Sequence, residues 1–149
     1  MYKYENKKYT GTDTLPNRDM IDDLEKKVGS KLPDEYADFL LMCNGGKPDD
    51  CMSGDIVVRQ FFSISDEFAR SLEYHHKIYT LAGRMPSHIV PIANDNGSNC
   101  LCISLGDQDF GAVYFWDHDG EDPGYENLSL INDSFSGFLE SLGPEEYDF

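Results

Sequence analysis

Ile89-Val90-Pro91-Ile92-Ala93, Cys100-Leu101-Cys102-Ile103-Ser104-Leu105 and Ala112-Val113-Tyr114-Phe115-Trp116 are short apolar runs rich in β-branched and aromatic residues. Asn94-Asp95-Asn96-Gly97-Ser98-Asn99 separates the first two, and Gly106-Asp107-Gln108-Asp109-Phe110-Gly111 separates the next two. Runs of this length suit strands, and the Asn, Asp, Gly and Ser between them supply turn geometry. An antiparallel meander over residues 89–116 is expected.

Upstream, the apolar period changes. Ile21, Leu24 and Val28 recur at helical spacing, with Asn17 as a candidate N-cap and Gly29 placed to stop the helix. A second helix follows, with Pro33 in its first turn, an apolar stripe of Tyr36, Phe39, Leu40 and Cys43, and an end at Asn44-Gly45-Gly46. Ile56-Val57-Val58-Arg59-Gln60-Phe61-Phe62 reads as a strand. Ser65 is a candidate cap for a middle helix from Asp66 to about Leu81 that carries Phe68, Leu72, Ile78 and Tyr79. Near the end, Phe135, Phe138, Leu139 and Leu142 share one helical face, with Asp133 or Ser134 as cap and Gly143-Pro144 as stop. A helix pair, then strands, then a helix is an α+β order: an antiparallel sheet with the N-terminal pair, the middle helix and the C-terminal helix packed on it. No repeat or linker divides the 149 residues, so a single domain is expected, with its core over about 17–143.

Charge excludes several functions. Twenty-eight acidic residues against 12 basic ones leave a net charge of −16, which argues against direct binding of nucleic acid, because phosphates demand Lys and Arg. No apolar run approaches the roughly 20 residues of a membrane span, and residues 1–8 lack a signal peptide's apolar stretch, so a cytoplasmic location is expected. Cys43, Cys51, Cys100 and Cys102 are too few for a disulfide scaffold in a chain of this size, and reduced thiols are expected. Cys100 and Cys102 would share a strand face, but no matching Cys or His pair stands at zinc-site spacing. All 12 Lys and Arg lie in residues 1–84, while residues 85–149 hold 13 Asp and Glu and no base, a local charge of −13. Such a one-signed field keeps a protein soluble and also attracts a basic partner.

Asp117-His118-Asp119-Gly120-Glu121-Asp122 packs four carboxylates into six residues. An EF-hand loop needs glycine sixth and glutamate twelfth; here Gly120 is fourth and Leu128 twelfth, so a solvated acidic turn that contacts a partner is preferred over a Ca²⁺ site. His75, His76, His88 and His118 stand in no catalytic motif, and the turns at Gly97 and Gly106 to Gly111 lack the helix with Lys and Ser or Thr that a phosphate loop requires. Neither an enzyme activity nor a cofactor is expected. Tyr114, Phe115 and Trp116 alternate across the sheet; Phe115 is assigned to the core, and Tyr114 and Trp116, facing outward, would form an aromatic anchor beside an acidic rim. The candidate partner-binding set is Asp95, Asp107, Asp109, Tyr114, Trp116, Asp117, Asp119, Glu121 and Asp122.

Leu32-Pro33-Asp34-Glu35-Tyr36 through Leu40, Cys43-Asn44-Gly45-Gly46, and Met85-Pro86-Ser87-His88-Ile89-Val90-Pro91-Ile92-Ala93 with Asp95, Gly97 and Ser98 together resemble the SUKH superfamily. Gly111 to Asp119 resembles its second signature, and Asp133-Ser134-Phe135 with Phe138-Leu139 its closing helix. The resemblance runs in order from Met20 to Leu142. It implies an α+β fold and, for bacterial members, an immunity protein that binds and neutralises a polymorphic toxin, often a nuclease; fungal members are implied to regulate cell-wall assembly and glucan synthesis. A compact single domain fits the bacterial case, with an acidic face over residues 95–122 masking a basic toxin domain. The alternative is a regulatory scaffold that binds an endogenous protein. The sequence specifies no oligomeric state.

Overall fold

The structure, a computed structural model, describes residues 8–119 and 127–146. Helix α1 (Arg18–Val28) has the predicted ends: the Asn17 side chain accepts from the Met20 amide at 3.0 Å, and Gly29, at φ 83°, donates to the Glu25 carbonyl at 2.9 Å. Helix α2 (Asp34–Met42) begins one residue after Pro33, which sits at the N-cap rather than inside the first turn. Beyond α2 the chain turns through Asn44, Gly45 and Gly46, all at positive φ. A Cβ on Gly45 would lie 2.8 Å from the Ser63 Cβ and 2.9 Å from the Phe61 carbonyl, so only glycine lets the two segments approach this closely.

Asn44 is fully buried and ties three segments together. Its Nδ2 donates to the Thr14 carbonyl at 2.8 Å and the Ile64 carbonyl at 3.1 Å, and its Oδ1 accepts from the Ile64 amide at 2.9 Å. Beside it, Arg70 holds Asp13 with two hydrogen bonds, Nη2 to Oδ1 at 2.8 Å and Nε to Oδ2 at 3.2 Å, and the Ser63 hydroxyl donates to the same carboxylate. A satisfied polar cluster of this kind fixes how the loops meet.

Strand β1 (Tyr9–Thr10) pairs with β2 (Lys47–Pro48), and β3 (Met52–Ser53) with β4 (Ile56–Val57), both antiparallel. The single strand expected over 56–62 is therefore two. At buried Val58 the chain changes partner, its amide still bonding Cys51 while the next amide, Arg59, bonds Asn94; β5 (Gln60–Phe61) then joins the main sheet. That sheet has the order β5-β6-β7-β8-β9, all antiparallel, with β6 at Ile89–Asn94, β7 at Cys100–Ser104, β8 at Val113–Trp116 and β9 at Leu128–Asn132. The meander of β6, β7 and β8 matches the sequence expectation, and β9 adds a further strand beside β8. A register shift opposite Val113 and Tyr114 breaks the alternation of Leu128 to Asn132, and Leu130 stays 56% exposed.

The middle helix starts later than predicted. Ser65 caps only a turn, its hydroxyl accepting from Glu67, whereas Ser71 accepts from the Tyr74 amide and opens α3 (Leu72–His75), which continues as a π-helix over His76–Leu81. Residues 64–70 are instead closed into a loop, with the Ser63 amide bonding Arg70 and the Leu72 amide bonding Ser63. Phe68, expected on the apolar face, is exposed and stacks on Tyr74 at 4.8 Å. Helix α4 (Phe135–Ser141) is capped by Ser134.

Alternation puts Val90, Ile92, Leu101, Ile103 and Val113 on one sheet face, against Ile21, Leu24, Tyr36, Phe39, Leu40, Phe135 and Phe138. Phe39 meets Phe61 at 5.0 Å and Phe135 at 5.2 Å between ring centroids, locking α2 and α4 to the sheet. The other face carries a smaller cluster of Ile89, Cys100, Cys102 and Trp116, covered by Tyr79 and Met85. No helix among the described residues is long and apolar enough to cross a membrane.

Candidate partner-binding surface

The antiparallel sheet decides which acidic residues meet. At one end lie the β6–β7 turn and the exit of β8, because Cys100 pairs with both Asn94 and Trp116. There Asp95 is committed to its own turn: Oδ1 accepts from the Gly97 amide at 2.8 Å and the Asn99 amide at 2.9 Å, and Oδ2 from the Asn99 side chain at 3.0 Å. This orients Asn99 so that its Oδ1 accepts from the His118 amide at 3.0 Å and from His118 Nδ1 at 2.7 Å. His118 Nε2 then stands 3.1 Å from Asp119 Oδ1, and Asp117 Oδ1 accepts from the Asp119 amide at 2.9 Å. The chain Asp95, Asn99, His118 sets the direction in which Asp117 and Asp119 face water. From sequence alone Asn99 is a turn residue and His118 part of an acidic run; pairing across strands makes them a support.

Asp117, His118 and Asp119 offer ligand atoms within 4.8 Å of one another. Two exposed carboxylates and an imidazole on consecutive residues fall well short of the roughly 6–8 oxygens that Ca²⁺ takes. Among the described residues the arrangement is that of a hydrogen-bonded acidic turn. Glu121 and Asp122, also in the candidate set, lie outside the described residues.

Asp107 and Asp109 sit at the opposite end of the sheet, in the β7–β8 turn. The five residues of β7 place roughly 13 Å between the two ends at about 3.3 Å per residue. The acidic face expected over residues 95–122 is thus two separate groups. Asp109 accepts from the Ser104 hydroxyl and the Tyr114 phenol. Partial burial pushes its carboxyl up, but the Ser104 and Tyr114 hydrogen bonds together with nearby His88 outweigh this and hold it below the ordinary carboxylate range. Asp107 is exposed, and Phe110 of the same turn is 47% exposed.

Trp116 is not the outward anchor considered from sequence. It is 2% exposed, 5.3 Å from the Tyr79 ring, and covered by Arg84, whose guanidinium carbon lies 5.2 Å from the Trp116 ring and 4.9 Å from the Tyr79 ring. The reason is the π-helical stretch, which brings Tyr79 and Arg84 over a sheet face that the sequence left uncovered. Tyr114 shares that face and is half-buried, its hydroxyl held by Asp109; Phe115 points to the main core and is half-buried against it. Burial pushes the Cys100 thiol up to about 12, with Asp95 adding to it, and raises Cys102 well above its ordinary value, so both stay protonated and dry at neutral pH.

A Bacillus subtilis (strain 168) protein, the SPbeta prophage-derived uncharacterized protein YokK, is 28% identical over 159 aligned residues, covering 89% of this chain and 77% of that protein. A protein from Pseudomonas syringae pv. tomato, solved by crystallography, is 19% identical, covers 77% of this chain and 78% of its own, and superposes with a TM-score of 0.48. Residues 16–141 match the SMI1 / KNR4 family (SUKH-1), and with a match over most of its length the chain belongs to that family.

Proposed function

We propose that the protein is an immunity protein that binds a cognate toxin domain of basic character and neutralises it by occupying the toxin's active cleft. The observation that carries this is the charge of residues 85–149, where 13 carboxylates stand without one Lys or Arg, while the strands they flank form the rigid sheet. Family membership supports it, since SMI1/KNR4 proteins include toxin immunity proteins. Similarity to a prophage-derived protein suits a gene carried with a mobile conflict system. Carboxylates on a fixed scaffold imitate the phosphates that a nuclease-type toxin collects, and their field speeds encounter with a basic surface. Asp117 and Asp119 lead at one end of the sheet and Asp107 at the other; the buried Trp116 has no part in the contact.

The test is growth rescue of a host expressing the toxin domain encoded beside this gene, followed by association kinetics of the purified pair. Wild-type protein restores growth. Asp117→Lys with Asp119→Lys slows association about tenfold or more, and the wild-type rate falls steeply as salt is raised above about 0.1 M. Failure to rescue, with capture of a cell-wall assembly enzyme instead, would overturn the proposal in favour of a regulatory scaffold.

A further inference from the structure

A cleft of about 550 Å³ opens between α1 and residues 64–73, and its lining includes none of the carboxylates at either end of the sheet. That is within the roughly 300–1,000 Å³ typical of ligand pockets. One wall is the α1 stripe of Met20, Asp23, Leu24 and Lys27, which helical geometry aligns on one side. The other is the closed loop, with Ile64, Asp66 and Glu67, and the start of α3 with Glu73; Asp13, Thr14 and Leu15 close one end. The walls are held apart by packing: Ile21 and Leu24 anchor α1 in the core, and the Asn44 and Asp13–Arg70 cluster fixes the loop.

Two features of this cleft call for an occupant. Leu15 is 57% exposed and Met20 40%, leaving apolar surface at the rim of a concavity. The lining also carries five carboxylates and one ammonium, and the cations within reach are already engaged: Lys27 by Glu73 at 2.9 Å, and Arg70 by Asp13 and Glu67. Asp23 and Asp66, on opposite walls, form no ion pair among the described residues. Two like charges across a gap favour a cation between them and repel anions, nucleic acid included. A small polar cation alone would leave Leu15 and Met20 wet.

We propose that this cleft docks a basic amphipathic segment of a protein partner, placing a Lys or Arg side chain between Asp23 and Asp66 and an aliphatic side chain on Leu15 and Met20. The inference rests on the immunity reading only in taking the partner to be a protein. The assay below uses no toxin, so its failure leaves the neutralisation reading standing, and the reverse holds too.

The probe is a short synthetic peptide of Leu and Lys spaced for an amphipathic helix, titrated into the ¹⁵N-labelled full chain at about 0.15 M salt. Saturable shifts are expected at Leu15, Met20, Asp23 and Ile64. Affinity should fall about tenfold or more when the peptide's Leu residues become Ser or its Lys residues become Glu, and likewise for Asp23→Lys with Asp66→Lys in the protein. Both aspartates are exposed, so that variant keeps its fold, which thermal melting checks. Asp117→Lys with Asp119→Lys should leave peptide affinity within about twofold. Shifts centred on the sheet ends, or equal binding by the Ser-substituted peptide, would overturn the proposal, because either would mean diffuse attraction to an acidic protein.

Discussion

Trp116→Ala should unfold most of what the second sheet face contributes and say nothing directly about partner contact. The indole is 2% exposed and packs with Met85, Ile89, Cys100 and Cys102 beneath Tyr79. Truncating a buried tryptophan to alanine costs about 3–5 kcal/mol, and the stacked Arg84, exposed on its outer side, adds about 0.5–1 kcal/mol. Against a total stability of about 5–15 kcal/mol, that is a large share of the whole. It is also the only tryptophan in the chain, so native fluorescence reports this one ring. Wild-type emission should be blue-shifted and poorly quenched by acrylamide, and urea should restore both red emission and quenching. Stability of the variant is followed by far-UV circular dichroism, since the fluorophore is gone. Trp116→Phe keeps an aromatic ring beneath Arg84 and should lose only about 0.5–3 kcal/mol. A folded Trp116→Ala protein within about 1 kcal/mol of wild type, or native emission quenched as fully as in urea, would refute the burial argument and return Trp116 to the surface.

Asn44→Ala should cost about 3–6 kcal/mol in urea unfolding, because it strands two carbonyls and an amide and leaves alanine at φ 47°; Asn44→Gly removes the backbone term alone and should recover about 1–2 kcal/mol of that loss. Gly45→Ala places a methyl 2.8 Å from the Ser63 Cβ at φ 85° and should lower the urea midpoint markedly, whereas Gly54→Ala, with open space around it, should carry only the strain of its φ. Burial depresses His75 and His76 below the ordinary value of 6.5, against smaller opposing contributions from the Ser71 carbonyl and Glu73 respectively; the unfolded chain takes up protons first, so this stability is complete above about pH 6.5 and is lost as pH falls. His75→Phe preserves the 3.8 Å stack on Phe62 and should remove the His75 share of the pH dependence of the calorimetric Tm in that window, leaving the His76 share. Asp109, held below 3.8, stabilises above that value and loses its contribution only under more acidic conditions, so Asp109→Asn should lower Tm by a near-constant amount above about pH 4, with the difference from wild type shrinking as pH falls below it.

Local chemistry was legible in the sequence, and non-local closure was not. The N-caps of α1 and α4 are decided by residues three apart: the sequence names Asn17 for α1, and for α4 it names Asp133 or Ser134, of which Ser134 takes the Gly137 amide. Ser65 and Ser71 are equally good caps by type; what separates them is that Ser63 bonds both Arg70 and Leu72, and that Arg70 is drawn to Asp13, 57 residues away. The strand over 56–62 split because Val58 and Arg59 bond to Cys51 and Asn94, partners that a hydropathy pattern does not name. Strand β9 stayed hidden because its bulge breaks the alternation by which strands are recognised.

The acidic set shows the same limit and what it means for function. Proximity in sequence suggested one face over 95–122, but an antiparallel meander sends successive turns to opposite ends of the sheet, so Asp107 and Asp109 part from Asp95, Asp117 and Asp119. Composition counts carboxylates without saying which are already used. Asp95 is spent on its own turn and Asp109 on Ser104 and Tyr114; both still add to the long-range field, yet neither is at liberty to turn toward a partner. Under the proposed function, steering draws on every carboxylate, while close contact is assigned to Asp107, Asp117 and Asp119. The two roles separate kinetically. Asp117→Asn removes a contact as well as a charge and should speed dissociation of the toxin complex. Asp109→Asn removes the same charge from a group facing the Ser104 and Tyr114 hydroxyls, which can turn to accept from the new amide, so its effect on the toxin contact should be confined to slower association at low salt. Equal changes in dissociation rate for the two variants would show that carboxylates held inward by the fold and exposed ones serve the contact alike, and the division drawn from the structure would fall.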